Sequence, residues 1–157
     1  MKYKLTDVKI NFMGKTLFQI EAVKCFGNIV KGQKGGFIEK ESNLPQGGNA
    51  WVYGNAKVSG NAKVSGDAKV YGDAWVSGNA KVSGDADYLV IGPIGSRNDI
   101  TTFFKTANND IKVSCGCFTG NIEEFLEKVN ETHGNNNYAK EYKTAVEIAK
   151  IHIFGGE

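Results

Sequence analysis

Asn49-Ala50-Trp51-Val52-Tyr53-Gly54, Asn55-Ala56-Lys57-Val58-Ser59-Gly60, Asn61-Ala62-Lys63-Val64-Ser65-Gly66, Asp67-Ala68-Lys69-Val70-Tyr71-Gly72, Asp73-Ala74-Trp75-Val76-Ser77-Gly78 and Asn79-Ala80-Lys81-Val82-Ser83-Gly84 are six copies of one six-residue unit laid end to end. A period this short has room for one short strand and one tight turn per unit. A chain of such units can pair its strands only with the copies a coil above, which predicts a parallel β-helix. Within each unit Ala and Val stand two apart and share one face of the strand, while Lys or Trp and Ser or Tyr share the other. The alanines and valines are therefore expected inside. The Gly-Asn or Gly-Asp pair makes the corner, because Gly takes positive φ freely and Asn or Asp tolerates it and bonds its own backbone.

A three-sided coil closes after eighteen residues, so like positions should stack ~4.8 Å apart up each wall. This places Trp51 over Lys69, Tyr53 over Tyr71, Lys57 over Trp75 and Lys63 over Lys81, with Leu89 next on the first wall. Exposed aromatic rows mark contact surfaces, so Trp51, Tyr53 and Tyr71 are the expected oligomer interface. A core of Ala and Val is thin, and association would supplement it.

Both ends of such a column need covers, since unpaired strand edges invite aggregation. Lys4–Phe12 and Thr16–Lys24 alternate well enough for two strands turning at Met13-Gly14-Lys15, and Ile38 and Leu44 lead at six-residue steps into Ala50. After the repeat, Tyr88–Ile91 reads as a strand, and Thr101–Thr106 with Ile111–Cys117 as a hairpin turning at 107–110. The period then changes. Asn121 followed by Glu124 predicts a capped helix whose face is Ile122, Phe125, Leu126 and Val129, ending near His133-Gly134. A second helix is expected over about 138–151, burying Tyr142, Ala145, Val146 and Ala149. The chain thus divides into an N-terminal β cap (1–36), the hexapeptide column (37–90) and a C-terminal α+β module (91–157).

The net charge of the 157 residues is +2. Residues 1–42 carry eight Lys against four acids and residues 121–157 four Lys against seven Glu, a mild polarity without the clustered Arg and Lys that a phosphate backbone requires. No nucleic acid polymer is expected as a partner. No stretch approaches ~20 apolar residues and residues 1–7 lack the apolar centre of a secretory signal, so no membrane partner and a cytoplasmic location are expected. Cys25, Cys115 and Cys117 are odd in number, and Cys115-Gly116-Cys117 lacks a second pair for zinc; these read as reduced thiols, with no metal and no cofactor.

The repeat resembles the hexapeptide family, whose motif combines an aliphatic residue, two turn residues and a small inward residue. That resemblance implies a left-handed β-helix, usually a homotrimer. Phe26-Gly27, Lys34-Gly35-Gly36-Phe37-Ile38-Glu39 and the first hexad look like the opening segment of hexapeptide-repeat proteins of phages and prophages, and Tyr88-Leu89-Val90-Ile91-Gly92-Pro93-Ile94-Gly95-Ser96-Arg97-Asn98-Asp99 looks like their C-terminal module. The fold class implied is mainly β: a left-handed parallel β-helix of hexapeptide repeats, capped by an N-terminal β-hairpin and by a C-terminal β-hairpin plus two α-helices.

Many hexapeptide proteins are acyltransferases that activate a hydroxyl or amine with a histidine projecting from the coils. Here the repeat has none: His133 sits where a helix ends, a favourable place for a cation beside the helix dipole, and His152 lies near the C-terminus. The sharpest local feature is the glycine-rich run after Ile91. Its backbone N–H groups can converge on an anion, Ser96 adds a hydroxyl, and Arg97, the chain's one arginine, can grip a phosphate or carboxylate bidentately. Gly92, Gly95, Ser96, Arg97 and Asn98 are therefore the candidate ligand site, with Phe103 and Phe104, and Phe118 nearby, as stacking surface for a base. The alternative for this run is a plain Gly-Pro corner with Arg97 paired to Asp99 or a helix glutamate.

Three classes of function follow: a non-catalytic trimeric binding protein that captures a small phosphorylated or nucleotide-like ligand near subunit boundaries, a structural or protein-interaction trimer, and an acyltransferase. The phage resemblance favours the first, because phages carry small oligomeric proteins that sequester nucleotide signals of host defence.

Overall fold

The computed structural model describes residues 1–84, 87–116 and 118–155, so Cys117 lies outside the described residues. The chain forms two compact units, Met1–Asp85 and Ala86–Glu157. In the first, β1 (Tyr3–Phe12) and β2 (Lys15–Ala22) make an antiparallel hairpin, and β3 (Lys34–Ile38) pairs antiparallel with β2. The hexads contribute two-residue strands: β4 (Trp51–Val52), β5 (Lys57–Val58), β6 (Lys63–Val64), β7 (Lys69–Val70), β8 (Trp75–Val76) and β9 (Lys81–Val82). These pair in parallel and in register at eighteen-residue steps, β4 with β7, β5 with β8 and β6 with β9. Val52, Val58, Val64, Val70, Val76 and Val82 are fully buried. Each contributes roughly 1.5–3 kcal/mol relative to exposure.

The expected left-handed parallel β-helix with separate caps is nevertheless corrected by the pairing. The hexad strands do not form one continuous parallel array; they are split among three small sheets, two of them two-stranded. The third is mixed, running β1-β2-β3-β5-β8, so the N-terminal hairpin is part of a wall rather than a cap upon it. A two-residue strand offers too few ladder bonds to stand alone, and an unpaired edge is completed by the nearest available strand, here β3, through Phe37 opposite Lys57 and Ile38 opposite Val58. Leu89 does not continue the first wall either: it pairs antiparallel with Phe103 in the second unit.

Where strands are missing, side chains replace them. Lys2 is 1 % exposed and its ammonium donates to the carbonyls of Gly47, Gly48 and Ala50 at 3.3, 3.3 and 2.9 Å, with the Phe26 ring 5.2 Å away. Asn43, fully buried, donates to the carbonyls of Gly60 and Ala62 at 3.1 and 2.8 Å while its Oδ1 accepts from the N–H groups of Glu39 and Lys40. Charge-assisted and paired bonds of this kind offset the burial of polar groups.

This end structure also removes Trp51 from the expected interface. Its indole is fully buried, with Tyr3 and Phe26 packed edge-on at 6.2 and 5.4 Å. Gly35 is required beneath it: a Cβ there would lie 2.8 Å from Trp51 Cζ2 and 2.6 Å from the Val52 carbonyl oxygen. Tyr53 and Tyr71 do stack, centroids 4.6 Å apart, and Tyr71 is 48 % exposed.

In the second unit β10 (Tyr88–Ile94), β11 (Asp99–Lys105), β12 (Ile111–Cys115) and β13 (Phe118–Asn121) form an antiparallel four-stranded sheet in chain order, in place of the hairpin expected there. Then α1 (Ile122–His133) and α2 (Asn137–Phe154) pack on the sheet through a core that includes Phe103, Val113, Phe125, Val129 and Val146. Helix α1 starts at a capping box: Asn121 Oδ1 accepts from the N–H of Glu124 at 2.8 Å, and Glu124 Oε1 accepts from the N–H of Asn121 at 3.0 Å. No helix among the described residues is long and apolar enough to cross a membrane.

Candidate functional site

The second unit carries a cleft of about 150 Å³ lined by Ser96, Arg97, Asp99, Cys115, Gly116, Phe118, Phe125, Lys128, Val129, Thr132, His133 and Tyr142. Three parts of the chain build it. The turn 95–98 joins β10 to β11 and is closed by the N–H of Asn98 donating to the Gly95 carbonyl at 3.2 Å. Cys115 ends β12, Gly116 follows it, and Phe118 opens β13. Helix α1 supplies Phe125, Lys128, Val129, Thr132 and His133, which fall at i, i+3, i+4, i+7 and i+8 and hence on one face.

Helix α2 holds the turn in place from below. Glu141 Oε1 accepts from the N–H of Gly95 at 3.1 Å, and the Tyr142 phenol fills the space where a Cβ of residue 95 would stand. Gly95 also has φ +79°, so both the backbone and the packing require glycine. Tyr142 is 7 % exposed. Burial first, and then Cys115, Asp99 and Glu141 around it, push its hydroxyl up to about 12, so the phenol keeps its proton through the neutral range. Its ring stands edge-on to Phe125 at 5.5 Å and is stacked with His133 at 6.0 Å. The Cys115 thiol lies between hydroxyls: Thr101 Oγ1 donates to Sγ at 3.3 Å, and Sγ contacts Tyr142 Oη at 4.0 Å.

The residues anticipated from sequence divide here. Ser96 and Arg97 line the cleft. Gly92 and Asn98 are exposed outside its lining, and the anticipated backbone cradle is not assembled, because the N–H groups of Gly95 and Asn98 are already given to Glu141 and to Gly95 itself. Phe103 and Phe104 are both fully buried and present no stacking surface; alternation along β11 sends Phe103 into the helix-facing core and Phe104 to the opposite side of the sheet. The aromatic wall of the cleft is Phe118, half-buried, backed by Phe125 at 5.6 Å. The alternative pairings of Arg97 are not made: among the described residues no carboxylate lies within 4.0 Å of its guanidinium, and Glu141 is engaged by Gly95. His133 does occupy the last turn of α1, yet it also faces the cleft.

Asp99, Lys128, Thr132 and Tyr142 line the cleft in addition to the site residues expected from the sequence. One signal was present: the stripe through Phe125 and Val129 that defines the buried face of α1 continues through Lys128, Thr132 and His133, and polar residues in such a stripe mark where the core opens.

The electrostatic balance is two cationic side chains, Arg97 and Lys128, against the one carboxylate of Asp99. Among the described residues no group of three His, Cys, Asp or Glu side chains is placed to hold a metal ion. No family model matches the chain and no curated protein is similar to it, so the cleft's own chemistry carries the functional reading.

Proposed function

We propose that the second unit captures a small phosphorylated or nucleotide-like ligand in this cleft without transforming it. The observation that carries the reading is Arg97: an exposed guanidinium with no ion-pair partner among the described residues, lining with Lys128 a cleft walled by Phe118. An unpaired guanidinium binds phosphate oxygens in a fork, and an aromatic face accepts a planar ring. The volume is below the ~300 Å³ of usual ligand pockets, so it encloses one ring and leaves the charged part of the ligand at the opening. Binding without turnover fits the thiol's surroundings. The hydrogen-bonding partners of Cys115 among the described residues are two hydroxyls, with no imidazole or carboxylate bonded to it. Sequestration of a host-defence nucleotide, in the host cytoplasm of a phage-encoded protein, is the role in keeping with the sequence resemblance.

Thermal melting against inorganic phosphate and a panel of linear and cyclic nucleotides tests the reading. A ligand present at about a hundredfold its Kd adds about 2.7 kcal/mol, a shift of many degrees for a unit of this size. Arg97→Ala should abolish that shift. If no compound in the panel moves the transition, or if Arg97→Ala responds like the wild type, the proposal falls.

A second reading, assembly of copies through the repeat, is favoured by the exposed Tyr71 stacked on Tyr53. A homotrimer joined there would dissociate in Tyr71→Ser on sedimentation; an unchanged sedimentation coefficient would remove Tyr71 from any interface.

A further inference from the structure

Resting on the reading of the cleft as a ligand site, we propose that Asp99 reads the edge of the ligand's ring and selects a guanine-type heterocycle, which presents two adjacent N–H donors, over an adenine-type one. Asp99 is the first residue of β11 and half-buried. Its Oδ1 accepts from the N–H of Ile100 at 2.9 Å, which fixes the carboxylate's orientation. The other oxygen, Oδ2, accepts no hydrogen bond among the described residues and stands 3.1 Å from where a Cβ of Gly116 would be. Gly116 therefore leaves room beside an oxygen that has no donor among the described residues, and the same point lies 3.8 Å from Arg97 Nη1.

A partly buried carboxylate oxygen without a donor is costly, and an ionised carboxylate can only accept. The ring edge that satisfies it must bring N–H groups. Guanine carries N1–H and the N2 amino group side by side with the O6 acceptor next to them, whereas adenine presents one amino group beside a bare ring nitrogen that a carboxylate repels. The neighbouring acceptor on guanine also has a donor available here, since the Tyr142 hydroxyl lines the same cleft and remains protonated. Phe118 offers the face on which the ring stacks. A cleft with the volume of about five waters accommodates the base, and Arg97 and Lys128, both exposed, remain for the phosphate outside it.

Calorimetric titration of the full chain with GMP, IMP, AMP and inorganic phosphate, at one ionic strength, decides the matter. GMP should bind on the order of tenfold or more tighter than AMP, with IMP, which lacks the N2 amino group, between them. Asp99→Asn keeps an oxygen for the Ile100 N–H but turns the reading group into a donor, so it should erase the preference for GMP while phosphate and AMP binding persist; its unliganded melting curve checks that it folds. Equal affinity for GMP and AMP, or an undiminished preference in Asp99→Asn, overturns the assignment of Asp99 and leaves the ligand site standing. Absence of binding by all four compounds overturns both.

Discussion

Alanine at position 95 is the most severe small change the structure predicts. A Cβ there would fall on the Tyr142 phenol, overlapping Oη and Cζ and lying 2.9 Å from Cε2. The phenol cannot simply step aside, for it is 7 % exposed and packed between Phe125 and His133. Two costs add. A non-glycine residue at φ +79° costs about 1 kcal/mol, and overpacking a filled site costs about 1–3 kcal/mol, for a total of about 2–4 kcal/mol. In a unit of this size that lowers the melting temperature by roughly 10–30 °C. Urea unfolding followed by helical ellipticity reports on it directly, because both α-helices of the described chain belong to this unit. Gly14→Ala is the standard, followed by the fluorescence of Trp51 and Trp75 because it lies with them in the first unit: its φ is +78° and nothing lies within 4 Å of the added methyl, so it suffers the backbone cost alone. In a Tyr142→Ala background the Gly95→Ala penalty should shrink to the same backbone cost, a coupling that a double-mutant cycle isolates. Equal penalties for Gly95→Ala and Gly14→Ala in the wild-type background would refute the collision argument.

Two further outcomes follow from the first unit. Burial lowers the Lys2 ammonium from 10.5 to about 8, so between those two pH values the unfolded chain holds a proton that the folded one has released, and stability rises with pH across that window by at most about 3 kcal/mol; urea midpoints from pH 7.5 to 10.5 should show this rise in the wild type and its loss in Lys2→Met, and parallel curves would disprove it. Asn43→Ala removes four hydrogen bonds at a fully buried site and leaves the carbonyls of Gly60 and Ala62 without that donor, which should cost about 2–4 kcal/mol in urea unfolding; a change under about 1 kcal/mol would show that the side chain does not stand in for a strand.

Local rules were legible in the sequence because they act between near neighbours. The inward Ala and Val set, the eighteen-residue pairing of Trp51 with Lys69 and Lys57 with Trp75, and the box between Asn121 and Glu124 all depend on residues a few positions or three repeats apart. What failed involved partners with no periodic relation. Nothing in the hexads says that β1 and β2 will extend the β3-β5-β8 wall, or that Tyr3 and Phe26 will cover Trp51, since those contacts are chosen by tertiary packing. The cleft shows the same division. Arg97 and Ser96 were recognisable from the turn that carries them, while Tyr142 and Glu141 act on that turn from 46 or more positions away. The N–H of Gly95, open to an anion when the run is considered alone, is taken by a carboxylate that only the folded chain delivers.

The tether between Glu141 and Gly95 makes the direction of Arg97 depend on the second helix. An arginine on a free turn would sample many directions, whereas here the second helix holds the turn through Glu141. The ligand recognition proposed for this cleft thus depends on the docking of the second helix, whose Glu141 lies 46 positions along the chain from the residue it holds. Any chain in which the second helix frays should lose its hold on a ligand well before it loses its sheet.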